Sequence, residues 1–196
     1  MTLSIATTSE RNAAGEIEVI PTGRSLGAEV RGIDLKELGE AAFARLMQAW
    51  HQHSVVLLPQ ALKDRVAGLK IKHDGTYNSG GYVRQGVTPT DDPLTSPGAV
   101  HPLVCTHPDT GKRMLYLGRR RNAYIAGLDL ADSEVPLNEL WSYAVLPQFA
   151  WEHVWRVGDL VLWDNRCTMH RRDAFDPNSR RIMHRTQVKG EQRPAA

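Results

Sequence analysis

The sequence predicts a mainly β chain with flanking helices. Three observations lead there. Short apolar runs separated by Gly, Pro, Asn and Asp turn signals dominate the second half. Three stretches read as helix, two of them through apolar residues at helical spacing. The composition of the 196 residues, 41% hydrophobic and 23% charged, is that of a globular chain and excludes collagen, coiled coil and disorder.

The elements follow in order. Residues 1–15 are small and polar and read as a flexible N-terminal arm; residues 16–190 read as a single domain. Ile17 and Val19, then Val30 and Ile33, mark two short strands around the turn signal at Pro21 and Gly23. Phe43, Leu46, Met47 and Trp50 recur at i, i+3, i+4 and i+7, one face of a helix. Ser54 to Leu58 reads as a buried strand closed by Pro59, and Leu62, Val66 and Leu69 mark a second helix. Lys70 to Lys72 begins another strand. Residues 74–99, rich in Gly, Pro, Asp, Ser and Thr, form a long loop of the kind that is usually functional or mobile. Val100 to Thr106 and Arg113 to Leu117 flank His107-Pro-Asp-Thr-Gly111, a hairpin by its turn chemistry. Ser133 caps a helix from Glu134 to Val145, with Pro136 in its first turn. Three strands follow, at Phe149 to Trp155, Leu160 to Trp163 and Ile182 to Val188, with no internal repeat.

Charge and cysteine content narrow the function. A net charge of +2 is too small for the whole chain to act as a polycation toward nucleic acid or membrane. No apolar run approaches a bilayer span and Met1 opens no export signal, so a cytoplasmic chain is expected. Two cysteines, Cys105 and Cys167, exclude a four-thiolate zinc site and a disulfide framework, and a reduced pair suits that compartment.

Arginine is concentrated late in the chain. Arg166, Arg171, Arg172, Arg180, Arg181 and Arg185 lie within twenty residues, and Arg119 to Arg121 form another run. A solvated basic face and an anion-binding pocket both fit this pattern, because guanidinium grips carboxylates with paired hydrogen bonds. A nucleic-acid face does not, since Phe175 is the one nearby aromatic. On a strand, Arg181 and Arg185 would share a face, ~13 Å apart at Cα. His170 stands just beyond a turn-rich segment, either as a hydrogen-bonded surface residue or as a ligand. His107-Pro-Asp109 matches a His-x-Asp iron motif literally, but Pro-Asp-Thr-Gly is a turn signature, and the match reads as chance.

These residues also carry a resemblance. Gly158-Asp-Leu-Val-Leu-Trp-Asp-Asn-Arg166, then His170, then Arg180-Arg-Ile-Met-His-Arg185, resemble the final motif of the taurine / 2,4-dichlorophenoxyacetate dioxygenase family. Val100 to Val104, Thr106 to Gly111, Gly27 to Leu35 and Trp50 to Leu58 resemble other parts of it. The resemblance implies a double-stranded β-helix, jelly-roll-like and of the clavaminate-synthase type. It implies Fe(II) as cofactor, 2-oxoglutarate as co-substrate, and O2 with a small anionic organic substrate. By position, His170 is implied as an iron ligand, Arg181 as the residue holding the distal carboxylate of 2-oxoglutarate, and Arg185 as the residue meeting the substrate's acidic group. Trp163 is implied as packing beside the metal. Taurine catabolism and 2,4-D degradation are the family's settings.

The chain also departs from the family pattern. Between the segments like Ser54–Leu58 and Ala61–Leu69 the family carries about a domain's worth of chain, including Trp-His-x-Asp with the other two iron ligands. Here Pro59-Gln60 runs straight into Ala61. The expectation is an internally truncated domain, an incomplete β-helix and a weakened iron site, since one imidazole does not replace a chelating set. Three readings follow: a dioxygenase by descent with impaired activity, a non-catalytic anion-binding or interaction remnant, and a small basic nucleic-acid binder, which the low net charge and the lack of interleaved aromatics disfavour. No nucleic-acid or membrane partner is expected, and homo-oligomerisation stays open.

Overall fold

The computed structural model describes residues 17–34, 36–53, 58–78, 80–118, 121–190 and 192–196. The chain divides into two compact units, residues 1–55 with 147–160, and residues 56–146 with 161–196. The N-terminal arm and most of the strand expected at Ser54 to Leu58 lie outside the described residues.

The first unit begins with a hairpin of β1 (Glu18–Pro21) and β2 (Ala28–Arg31), with Val19 opposite Val30. Its turn is held by Thr22, whose N–H donates to Gly27 O at 3.1 Å and whose hydroxyl donates to Leu26 O at 2.7 Å. Gly27 takes φ 90°, and an added Cβ would lie 3.2 Å from the Trp151 ring, so both backbone and space favour glycine here. Helix α1 (Glu40–Gln52) starts at Gly39 without a side-chain cap. Of the expected stripe, Leu46, Met47 and Trp50 are half-buried beside the buried Ala49, whereas Phe43 in the first turn is 51% exposed.

The second unit contains the main core. Helix α2 (Gln60–Val66) begins at the Pro59-Gln60 junction and buries Leu62 and Val66. The central strand β3 (Lys70–Lys72) pairs antiparallel with β4 (Val100–Pro102) on one side and β7 (Tyr124–Ile125) on the other. A hairpin of β5 (Val104–Thr106) and β6 (Arg113–Leu115) forms a separate two-stranded sheet. The expected continuous strand from Val100 to Thr106 is thus split at Leu103, for a visible reason. The fully buried Leu103 donates its N–H to Leu69 O at 2.8 Å and accepts from Tyr116 N at 2.8 Å, handing the chain from one sheet to the next.

Helix α3 (Leu130–Ala144) closes this core with Leu137 and Leu140, which pack with Ile71, Leu103, Leu117 and Ile125. It starts four residues earlier than the sequence suggests. Asp129 occupies the N-cap position, while Ser133, buried inside the helix, accepts the Ile125 N–H at 2.6 Å and ties β7 to α3. Pro136 therefore lies in the helix interior. Among the described residues of the 73–99 loop the chain runs through turns, with one bridge, Tyr77 to Val83. The buried Lys72 ammonium anchors this loop through Ser96 Oγ and Pro93 O.

The strands expected at Phe149 to Trp155, Leu160 to Trp163 and Ile182 to Val188 are not formed. A short 3-10 turn (Pro147–Phe149) precedes strand-free chain through residue 190. Every residue from 169 to 190 is exposed. The pattern there suits strands, but strand formation needs a partner for the backbone groups, and none of the described strands lies alongside. Among the described residues the strands form three small sheets rather than a closed roll.

Candidate active site

Two segments of the second unit meet where the chemistry-bearing residues gather. One is the turn of the β5–β6 hairpin. His107 N–H donates to Lys112 O at 2.8 Å, and Gly111, at φ 67°, returns its N–H to His107 O at 2.9 Å. The Asp109 N–H donates to His107 Nδ1 at 3.2 Å. An accepting Nδ1 in the neutral ring leaves the proton on Nε2. That nitrogen faces Asp164 Oδ2 at 3.0 Å, with both side chains buried. The hairpin turn expected at His107 to Gly111 is therefore present, and His107-Pro-Asp109 serves it.

The other segment turns at Asp164. Its carbonyl accepts from Thr168 N at 2.9 Å and Thr168 Oγ1 at 2.6 Å, and its carboxylate caps Arg166 N at 2.8 Å. The Arg166 guanidinium then spans both carboxylate oxygens, Nε lying 2.9 Å from each, and reaches Asp109 Oδ2 at 2.7 Å. Burial opposes the charged form of Asp164, but the hydrogen bonds from Arg166 and His107 outweigh it and lower its pKa to about 2. The same pairing raises the Arg166 pKa.

Trp163 stands immediately before this turn. Its indole N–H donates to Asn165 Oδ1 at 2.8 Å. The His170 ring lies 5.0 Å from its centroid, tilted by 49°, and the Arg185 guanidinium lies 5.1 Å from the same ring. The structure thus brings His170 and Arg185 to a common aromatic. Arg181 goes elsewhere, 5.5 Å from the Phe175 ring, which Arg172 also covers at 4.8 Å. Since 181–185 is not a strand, the shared-face argument for Arg181 and Arg185 does not apply. Of the run at Arg119 to Arg121, the described member Arg121 pairs with Asp91 at 2.6 Å and lies over Tyr77.

The donor atoms offer a limited fit to iron. Among the described residues one group of three metal-capable side chains exists, His107, Asp164 and Cys167, with ligand atoms within 4.8 Å of one another. His170 is not in it. Arg166 occupies both oxygens of Asp164, so a cation entering there would meet a fixed positive charge. The described residues do not make a three-ligand iron centre around His170. Sequence reasoning missed the pairing of His107 with Asp164, a contact across 57 residues. Its signal was the carboxylate inside Trp-Asp-Asn-Arg, which needs a partner when buried.

Comparison with known proteins places these features. Residues 57–187 match the family described as taurine catabolism dioxygenase TauD, TfdA family. The chain is 34% identical over 160 residues to an (S)-phenoxypropionate/alpha-ketoglutarate-dioxygenase of Sphingobium herbicidovorans, covering 78% of this chain and 53% of that protein. It is 31% identical over 134 residues to an alpha-ketoglutarate-dependent 2,4-dichlorophenoxyacetate dioxygenase of a Burkholderia species, covering 68% and 44% respectively. The chain spans about half the length of these curated relatives. In three dimensions it resembles AAD-2 solved with Mn(II) and N-oxalylglycine, at 18% identity, with a TM-score of 0.63 over 78% of this chain and 89% of that one. That likeness concerns the fold, which in these dioxygenases is a jelly roll. With two thirds of its residues matched by the family pattern, the chain belongs to the taurine and 2,4-dichlorophenoxyacetate dioxygenase family.

Proposed function

We propose that the chain is an Fe(II)- and 2-oxoglutarate-dependent dioxygenase by descent, acting with O2 on a small anionic substrate of the sulfonate or aryloxyalkanoate class, with an impaired iron site. The observation that carries this reading is the shared Trp163 ring, with one imidazole, His170, at 5.0 Å and one guanidinium, Arg185, at 5.1 Å from its centroid. In this reading His170 is an iron ligand, Arg185 meets the substrate's acidic group, Arg181 binds the distal carboxylate of 2-oxoglutarate, and Trp163 packs beside the metal. Two iron ligands are missing because the family's Trp-His-x-Asp segment is absent between Gln60 and Ala61. The strand-free stretch from 150 to 190, with Ile182 59% exposed and Val188 96% exposed, supports an incomplete double-stranded β-helix whose partner strands are lacking. Such a surface also favours self-association. A cytoplasmic setting is part of this reading; no described helix is long and apolar enough to cross a membrane.

The second reading, a non-catalytic anion-binding remnant, draws on Arg172 and Arg181, both exposed and both over the Phe175 ring. Succinate release from 2-oxoglutarate, measured with Fe(II), O2 and a panel of sulfonates and aryloxyalkanoates, tests both. The chain as it stands is expected to match the no-enzyme control. Inserting a relative's Trp-His-x-Asp segment after Gln60 is expected to give substrate-dependent succinate. Turnover by the unaltered chain overturns the impairment; silence of the repaired chain overturns the oxygenase reading in favour of the remnant.

A further inference from the structure

We infer that His107, Asp109 and Arg166 are positioning residues: with Asp164 they form a clasp that fixes the Trp163–His170 pair to the core hairpin. The inference deepens the proposed function, resting on it only for the role of His170.

The clasp starts from rigid parts. Cys105 in β5 is fully buried and pairs with Met114 of β6, which anchors the turn that follows. From that turn, two side chains reach the Asp164 segment. His107 binds the buried carboxylate directly, and Asp109 binds it through Arg166. Both routes cross 57 residues of sequence. Asp164 then transmits the constraint along its own backbone. Its carbonyl holds Thr168 twice, which fixes the path from Trp163 to within two residues of His170. Asn165, inside the same turn, fixes the indole through its N–H.

The need for such a device follows from the rest of the segment. Residues 169–190 are exposed and strand-free, so no sheet register positions His170 or Arg185. Backbone hydrogen bonds to a neighbouring strand would ordinarily do this. Here the link with the hairpin is made by polar and charged side chains. A buried carboxylate with a planar, bidentate guanidinium and an oriented imidazole is a geometrically specific joint, because each partner accepts little angular change. The arrangement also separates the two arginines of the family motif. Arg185 lies at the ring the clasp holds, and Arg181 lies at Phe175 beyond it. Loosening the clasp should therefore disturb the His170–Trp163–Arg185 group and leave the Arg181–Phe175 contact alone.

The test uses the full chain without metal and reads the NMR signals of the His170 ring protons and the Trp163 indole N–H. In the wild type the His170 protons are expected to be displaced by the ring current of Trp163, whose centroid lies 5.0 Å from the His170 ring. His107→Leu is expected to remove that displacement and to shift the Trp163 indole signal, while methyl signals of Leu137 and Ile125 in the core stay in place. His107→Gln, whose amide N–H can still donate to Asp164, is expected to restore part of both. Should His107→Leu fail to fold, Asp109→Asn, at an exposed position, is expected to move the same two signals by less. A folded His107→Leu or Asp109→Asn chain with unchanged His170 and Trp163 signals overturns the inference. None of these signals depends on iron, so failure of the clasp and failure of the oxygenase reading are told apart.

Discussion

Asp164 is 7% exposed and ionised, a combination that is stable only while Arg166 and His107 hold it. Asp164→Asn leaves Arg166 without half of its pairing and the turn without its charged cap. The expected loss is about 2–4 kcal/mol, read as a lower urea midpoint with an unchanged slope. Gly118 makes a sharper steric case. It takes φ 61°, and a methyl at its Cα would collide with the His73 imidazole, so Gly118→Ala combines backbone strain with overpacking. A loss of about 1–3 kcal/mol is expected by the same measurement. His73 also sets an acid limit. Burial and the neighbouring His101 lower its pKa to about 4, below its ordinary 6.5. The folded chain thus binds fewer protons than the unfolded one between these values, and stability falls as pH drops from 6.5 to 4, by a few kcal/mol at most. Asp164 adds a second loss below about pH 4, where its folded-state advantage as a carboxylate disappears on the way to pH 2. Denaturant titrations at pH 7, 5 and 3 should show the two stages, and His73→Gln should flatten the first.

At the scale of elements, α3 separates a helix cap from a tertiary contact. Asp129 makes no side-chain cap bond, so Asp129→Ala should cost no more than a few tenths of a kcal/mol. Ser133→Ala strips the buried Ile125 N–H of its acceptor and should cost about 1–3 kcal/mol, measured by thermal melting. The sequence could not distinguish the two, because a serine one turn into a helix looks like a cap when only local spacing is visible. The other elements divide along the same line. Helices α1 and α2 and the β1–β2 and β5–β6 hairpins were legible, since apolar periodicity and Pro, Gly and Asp turn signals are local. Leu103 as a corner between sheets was not, because both of its backbone bonds go to residues whose proximity only the fold creates. The three strands anticipated after Phe149 have the right residues and lack neighbours, and propensity does not substitute for pairing. For the candidate site, the motif around Trp163 signalled His170 and Arg185. The Asp164 carboxylate signalled only that some partner was needed; nothing in a turn sequence specifies His107, 57 residues away, as that partner.

At the scale of the whole molecule, the chain has a core, a family and half of its relatives' length. The core rests on Leu62, Val66, Ile71, Leu103, Ile125, Leu137 and Leu140, all buried and all outside the segment that carries the motif. The core is therefore independent of the segment that carries the motif, so the chain can fold whether or not its proposed site is complete. The central claim is that the described residues supply no three-ligand metal set that includes His170, where an iron and 2-oxoglutarate site requires one. It is tested most directly by anaerobic titration of the purified chain with Fe(II) and 2-oxoglutarate, following the visible charge-transfer absorption that arises when 2-oxoglutarate chelates protein-bound Fe(II). The account predicts no such band at any ratio of the two. A saturable band that is lost in His170→Ala would contradict it.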